Sequence, residues 1–468
     1  MSAKIVVVGA GPAGLCSALV LSRAGHQVTL IERDSVTDGS PETALAWERG
    51  GVPHFESPHA FIPRGRLEMR ETLPDVYEEL LNQNARQLPF LPQQGPPQAG
   101  DEALTYLGVR RPMIEWALRR ALLRDRLVDV VSGTRATGLL VESGQVPRVS
   151  GVVHGAGATA CDLVIDAGGR RSPLAGWLRQ AGATLPVQTT EVGSVYYSRY
   201  FQMLPGSELP PLSASLGPRG DLGYCAFVTF PGDNQTFGYV LNVPTSQPEF
   251  RVLRHPAAFS AFCREVPQLR DWVDLDFARP VTDVVPMGSL QNSIIGWNDG
   301  GRPAATGLLP VSDAWIHTDP TFALGLCNSL IHARAIGSAL SRHGANVEDV
   351  ALDYFTQAIP EAEECYRLAS AIAEARHRRW AGDLAFGRDS NLAFFIMVAG
   401  GVAAQHDAEI FRRVVRRNGF LDRTSVMEED EEMLARIERI FMDKRSAPPP
   451  APDRETMLHH LTDALGHQ

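Results

Sequence analysis

Near the N-terminus, Gly9-Ala10-Gly11-Pro12-Ala13-Gly14 sets three glycines at G-x-G-x-x-G spacing. An apolar, β-branched run (residues 5–8) precedes it, and Leu15, Ala18 and Leu19 follow at helical spacing. The first glycine permits a tight turn, the second lets backbone approach a pyrophosphate, and the third lets helix pack on strand. A helix starting here offers free N–H groups and roughly half a positive charge to phosphates. Glu32 ends the next apolar run (residues 28–31), where a carboxylate can accept hydrogen bonds from ribose hydroxyls; Arg33 stands beside it. These residues read as a nucleotide site.

The elements that must position this chemistry follow from periodicity. Residues 4–32 form one strand–helix–strand unit, the start of a doubly wound α/β sheet. Residues 43–70 are irregular, with Gly50, Gly51, Pro53, Pro58 and Pro63, and residues 88–100 are rich in Pro, Gln and Gly. A helix is predicted from Pro112 to Arg124, with proline in its first turn. Residues 133–164 alternate apolar runs with turns, as in a small β-meander. Residues 185–285 are β-rich and aromatic, and Pro231-Gly232-Asp233-Asn234 joins two of their runs as a hairpin. This predicts a second, antiparallel domain. Beyond Ser338 the pattern is helical, with one stripe at Cys365, Leu368, Ala369 and Ile372. A second stripe, Met433, Ile437 and Phe441, is opened by Ser425 and Glu428 at capping-box spacing. Arg376-His377-Arg378-Arg379 and His459-His460 read as exposed. The apolar stretch 392–404 is too short to cross a bilayer, which takes about 20 residues; it reads as a buried helix or a pocket wall.

Two later segments carry a resemblance. Asp162-Leu163-Val164-Ile165-Asp166-Ala167-Gly168-Gly169-Arg170-Arg171-Ser172 resembles the central Asp-Gly segment of flavoprotein monooxygenases. Gly307-Leu308-Leu309-Pro310-Val311-Ser312-Asp313-Ala314, continued by His317-Thr318-Asp319-Pro320 and Gly325-Leu326-Cys327-Asn328, resembles their late Gly-Asp segment. With the glycine motif, this order resembles the FAD-dependent monooxygenases of the para-hydroxybenzoate hydroxylase fold over roughly residues 1–345. The resemblance implies FAD as cofactor. It implies a doubly wound, Rossmann-like FAD-binding domain with an inserted antiparallel β substrate domain and a C-terminal helical region. The divisions expected are 1–184 and 286–345 for FAD, 185–285 for substrate, and 346–468 for the helical region and tail.

Carried over residue by residue, Asp313 would bond the ribityl chain and Pro320 would lie beside the isoalloxazine edge. Gly325, Leu326 and Cys327 would open a helix facing the pyrimidine end of the flavin, where reduced flavin is negative. Arg111 would lie near the cofactor phosphates. His59, His317 and Pro320 are the candidates closest to catalysis. Trp47 and His54, in a loop that also carries Arg49 and Arg64, and Tyr197, Arg199 and Tyr224 of the β-rich region are candidates for the substrate pocket. Tyr196 and Tyr197, adjacent on a strand, point to opposite faces, so at most one faces that pocket.

The departures from the family pattern are specific. Ser312 stands where the late motif usually has glycine, and Gly168-Gly169 where the central motif usually has Asp-Gly, a segment associated with NAD(P)H use. Gly155-Ala156-Gly157-Ala158-Thr159-Ala160 does not complete a second glycine motif. The central segment, with Gly51-Val52-Pro53, His59, Gly65 and Leu73-Pro74, is more similar to the flavin-dependent epoxidase branch, many members of which receive reduced FAD from a separate reductase. The implied reaction transfers one oxygen atom of O2, through a flavin C4a-hydroperoxide, to a medium-sized hydrophobic or aromatic molecule by epoxidation or hydroxylation. The alternatives are a single-component NAD(P)H-dependent hydroxylase, a flavin-dependent reductase or dehydrogenase of the same fold, and a non-catalytic flavin-binding protein.

Composition prunes the rest. The 468 residues carry a net charge of -10, so the basic footprint of a nucleic-acid binder is missing. Lys4 and Lys444 are the only lysines, and arginine supplies the rest of the 44 basic residues. That removes any mid-chain lysine chemistry, including the lysine that the sister flavin-dependent halogenases place between flavin and substrate; no Trp-x-Trp occurs either. Six cysteines without C-x-x-C spacing suggest reduced thiols and no zinc site. No signal-peptide pattern opens the chain, so a cytoplasmic enzyme without a membrane span is expected.

Overall fold

The computed structural model describes residues 2–466 except 38, 48, 51, 53, 54, 90–94, 211, 213–215, 274, 275, 300 and 345. Its first sheet has the order β21-β10-β1-β2-β6. The strands are β1 (Lys4–Val8), β2 (Gln27–Ile31), β6 (Val128–Val131), β10 (Leu163–Asp166) and β21 (Leu308–Pro310), all parallel. Their apolar runs are continuous because the sheet is buried between a layer of helices and a small β-meander. Val7 pairs with Leu30 on one side and Ile165 on the other. The chain therefore leaves β1 in one direction for β2 and returns on the opposite side at β10. That reversal makes a crevice at the carboxyl ends of the strands, where open α/β sheets bind ligands.

Helices α1 (Pro12–Arg23), α5 (Arg111–Leu122) and α8 (Leu324–His343) pack around this sheet. Between β2 and β6 lie α2 (Pro41–Ala44), α3 (Pro63–Thr72), α4 (Pro74–Asn82) and a small sheet of β3 (Ala60–Phe61), β4 (Arg86–Leu88) and β5 (Tyr106–Gly108). The meander is β7 (Ala136–Glu142), β8 (Arg148–His154) and β9 (Gly157–Ala160); α6 (Leu174–Gln180) follows β10.

The larger antiparallel sheet runs β13-β14-β15-β12-β16, with β17 also on β12. Its strands are β12 (Ser194–Met203), β13 (Arg219–Asp221), β14 (Ala226–Pro231), β15 (Thr236–Pro244), β16 (Ala278–Pro280) and β17 (Val285–Met287). One face, with Tyr197, Phe201, Phe237, Tyr239 and Leu241, packs on α7 (Pro256–Glu265) in a second hydrophobic core. A further sheet joins β11 (Val187–Glu191), β18 (Gln291–Ile295) and β22 (Ile316–His317), and β19 (Asn298–Asp299) pairs with β20 (Arg302–Pro303). The β14–β15 hairpin tip docks on the cofactor side. There Asp233, fully buried, takes both the backbone N–H and the guanidinium of Arg110. Gly108 lies so close to the Pro231 carbonyl that a Cβ would sit 2.0 Å from its oxygen.

The C-terminal helices divide between the cores. Helices α9 (Val347–Trp380), α10 (Leu392–Ala403), α11 (Ala408–Asn418), α12 (Ser425–Glu428) and α13 (Glu431–Met442) extend the first. Helix α14 (Arg454–Gly466) joins the second, with Met457 and Leu461 buried beside α7. The capping box expected at Ser425 does not form. Glu428 instead receives the Arg417 guanidinium at 2.9 Å, α12 stops there, and Asp430 caps α13 by accepting from the Met433 N–H.

Candidate functional site

The crevice is lined by the carboxyl ends of β1, β2, β10 and β21. Gly9 turns the chain at φ +104, and a Cβ there would lie 2.6 Å from the Ala167 carbonyl oxygen, so the first glycine abuts the central motif. A Cβ on Gly14 would overlap the Gly9 carbonyl at 1.8 Å. Gly11 opens the other way: its hypothetical Cβ is 4.0 Å from Arg111 Nη2. Pro12 takes the first helical position and Ala13 the second. Glu32, 6 % exposed, accepts from the Ala10 N–H at 2.5 Å and the Asp34 N–H at 2.9 Å. Arg33 is exposed and lines an open depression with Asp34, Gly50, Gly133 and Arg135.

Arginines crowd this end. Arg111 donates to Glu115 at 2.9 Å, and Arg49 lies within 4.0 Å of Glu32, Asp34 and Glu115. Arg49 Nε and Nη1 and Arg119 Nε and Nη2 are nevertheless buried without hydrogen-bond geometry to any described residue. Such donors beside a glycine turn and a buried carboxylate fit the pyrophosphate and ribose of a dinucleotide. Arg49 therefore sits with Glu32 and the glycine turn. Trp47, expected at the substrate pocket, is also placed here, beneath the Arg119 guanidinium at 4.3 Å.

The second half of the site is built by β21 and the turns after it. Ser312 adopts φ +50, the conformation that favours glycine, and is held by two bonds. Its Oγ donates to the Gly325 carbonyl at 2.9 Å and its N–H to His332 Nδ1 at 2.9 Å. Burial pushes the His332 imidazole down to about 3, so it is neutral and accepts. This turn carries Asp313 to the first turn of α8, 3.4 Å from where a Gly325 Cβ would be. Leu326 and Cys327 are buried in that turn, with Cys327 against Gly65 of α3. His317 Nδ1 is 3.3 Å from Asp313 Oδ2, yet both its ring nitrogens are buried with no hydrogen-bond partner among the described residues. Arg170, of the central motif, feels the Asp313 charge. Asp166, fully buried, is raised to about 6 by burial against hydrogen bonds from Ser172 and the Gly168 N–H.

Pro320 is exposed at the head of a short turn, and Asp319 behind it is fully buried. Asp319 accepts from the Thr321 N–H, the Tyr196 hydroxyl and the Arg376 guanidinium, and donates its N–H to Asn292 Oδ1 at 2.6 Å. Burial would raise its carboxyl; the Arg376 charge and these hydrogen bonds outweigh that and leave it below the usual range. Arg376, expected at the surface, is 2 % exposed because Asp319 draws it inward. The network joins the cofactor segment, β12 and α9.

Residues 4–103 match the family model described as FAD dependent oxidoreductase. The chain is a flavin-dependent oxidoreductase, with FAD as its cofactor. The flavoenzyme is 26 % identical over 381 residues to Protein Rv3254 of Mycobacterium tuberculosis, covering 74 % of this chain and 75 % of that one. It is 24 % identical over 371 residues to a digeranylgeranylglycerophospholipid reductase of Methanocella arvoryzae, covering 76 % and 83 %. Among solved structures it is similar to pqsL, a probable FAD-dependent monooxygenase from Pseudomonas aeruginosa, with TM-score 0.58, 15 % identity and coverage of 82 % and 99 %. The flavin-dependent brominase Bmp2 superposes with TM-score 0.61 at 15 % identity, covering 92 % and 100 %. The fold is that of the flavin monooxygenases. No helix among the described residues is long and apolar enough to cross a membrane.

On the substrate side the strand parity differs from expectation. Tyr196, not Tyr197, points to the turn at Asp319, and Tyr200 on the same face donates to the Ser57 carbonyl. Tyr197 lies in the core under α7, Arg199 on that face donates to the Thr282 carbonyl, and Tyr224 stacks on Phe250. Those three side chains face away because α7 and α14 cover that side of the sheet. His59 bonds the Ser57 carbonyl at 2.7 Å; burial and then the Arg111 charge push its imidazole down to about 3, so it is neutral. His54 lies outside the described residues.

Proposed function

We propose that this flavoenzyme is a monooxygenase, supplied with reduced FAD by a separate reductase, that epoxidises or hydroxylates a hydrophobic or aromatic organic molecule. The observation that carries the reading is the apolar face opposite α7. Val228, Phe230 and Val240 cluster there with Tyr196, the residue that bonds the turn carrying Pro320. Bound FAD supplies the chemistry: two electrons reduce O2, one oxygen atom enters the substrate, and the other leaves as water. The chain's own residues bind and exclude. Gly9, Gly11, Pro12, Ala13 and Gly14 with Arg111 take the pyrophosphate, Glu32 the ribose, and Asp313 the ribityl chain. The first turn of α8, at Gly325, Leu326 and Cys327, offers N–H groups to the pyrimidine end of the flavin. His317, beside Asp313, donates a hydrogen bond to the cofactor, and neutral His59 braces its own loop at the Ser57 carbonyl.

The direct test mixes anaerobically reduced holoenzyme with 18O2 and candidate alkenes or phenols, without pyridine nucleotide. Label in the product is expected. Dependence on NAD(P)H, consumed by the purified protein when substrate is added, would replace this with a single-component hydroxylase. The similarity to the Methanocella reductase favours a second reading, alkene reduction; a saturated, unlabelled product would establish it.

A further inference from the structure

Arg110 and Arg111 are neighbours that face opposite ways. Arg111 opens α5, donates to Glu115 and lies beside Gly11 of the glycine turn. Arg110, one residue earlier, turns to the β14–β15 hairpin. It stands at the N-cap of α5, and its own side chain caps nothing. The cap comes from the larger antiparallel sheet. Asp233, fully buried, accepts the Arg110 backbone N–H at 2.7 Å, and the same carboxylate takes Nη2 at 2.6 Å and Nε at 3.1 Å. A carboxylate ahead of a first helical turn is also favoured by the helix dipole. The tip that carries Asp233 is strained: Asn234 and Gln235 stand at φ +49 and +59, a left-handed backbone that costs L side chains energy. Both are held from outside the hairpin. Asn234 Oδ1 accepts from Asn84 Nδ2 at 2.9 Å, and Gln235 Oε1 accepts from Arg86 Nη2 at 2.5 Å.

We infer that Asp233 is a positioning residue for FAD. By accepting the Arg110 N–H it fixes the first turn of α5, and so holds Arg111 at the glycine turn. Docking of the hairpin and occupancy of the pyrophosphate site are then one coupled equilibrium, in which each tightens the other by the same factor. Released from its dock, the tip loses the bonds that offset its left-handed residues; docked, it keeps them. The strands that leave the tip carry Phe230 and Val240 of the apolar face. Loading the cofactor therefore also settles the surface proposed for the substrate. The inference rests on the placing of Arg111 at the pyrophosphate and is independent of the reaction catalysed.

The test uses two paired variants that strand no charge. Arg110→Met with Asp233→Asn keeps a side-chain oxygen to accept the N–H at position 110; Arg110→Met with Asp233→Leu removes it. Each apoprotein is titrated with FAD, and hydrogen exchange of residues 230–237 is followed with and without the cofactor. In the unaltered protein FAD should slow that exchange severalfold. The Asn pair should keep FAD affinity within about twofold, and the Leu pair should weaken it about tenfold, as the loss of one buried acceptor implies, and lose the protection by FAD. Arg111→Met, which leaves Arg110 and the hairpin unaltered, should weaken FAD and abolish the same protection. An Asp233 that served stability alone would lower the melting temperature of the Leu pair and leave its FAD affinity in place. Equal FAD affinity in the two pairs, or hairpin exchange indifferent to FAD in the unaltered protein, would overturn the role of Asp233. Unchanged FAD affinity in Arg111→Met would instead remove Arg111 from the pyrophosphate, and the coupling with it. The exchange of the unaltered protein and the Arg111→Met variant decide the matter even where the Leu pair does not fold.

Discussion

Ser312 shows how one residue can satisfy a position built for glycine. A left-handed backbone costs a non-glycine residue about 1–2 kcal/mol, and here the side chain itself offsets it by bonding the Gly325 carbonyl. The same turn aims Asp313 at α8, so Asp313→Ala should weaken FAD binding by tenfold or more. Titration of the apoprotein with FAD checks this, and an unchanged affinity would break the motif assignment. The neighbouring His332, like His59, is held neutral with its folded value near 3, below the unfolded value of about 6.5. The unfolded chain then binds more protons between those limits, so stability falls as pH drops from about 6.5 toward 3. Thermal melts across that window should show the decline. His332→Gln, which keeps an acceptor for the Ser312 N–H, should flatten it.

Between elements, the Asp319–Arg376 pair decides how the turn bearing Pro320 is held. Removing one partner of a buried pair costs about 3–5 kcal/mol because the other charge is stranded. Arg376→Met should therefore lower stability by that order in urea unfolding, and adding Asp319→Asn should recover part of it. The sequence was explicit where local pattern suffices. The glycine turn with Glu32, the β-meander, the 231–234 hairpin and the helix at 392 all follow from short-range spacing. It was silent where a distant partner decides. Alternation at Tyr196-Tyr197 says that only one faces the site, and the covering of the other face by α7 settles which. Arg376 sits in a run of basic residues that looks uniformly exposed, and only Asp319, far along the chain, draws that one inward. Likewise Glu428 reads as a cap until Arg417 takes its carboxylate.

At the scale of the molecule, two cores meet across one site, and the chain's last helix belongs to the sheet rather than to its sequence neighbours. Met457 and Leu461 are fully buried beside α7. Burying such side chains contributes roughly 1.5–3 kcal/mol each, so a chain ending before Arg454 should melt at lower temperature while its FAD affinity is kept. Calorimetry and cofactor titration on the same sample separate the two effects. The network behind Pro320 also has a consequence in time. Domains made first during synthesis fold first, so the glycine turn and Glu32 can form early. The turn bearing Pro320 cannot be locked before α9 has left the ribosome, because the Asp319 carboxylate has no cation until Arg376 arrives. The glycine turn and Glu32 are thus made well before the cation that locks the turn at Pro320, and the crevice is completed from its β1 end toward its β21 end.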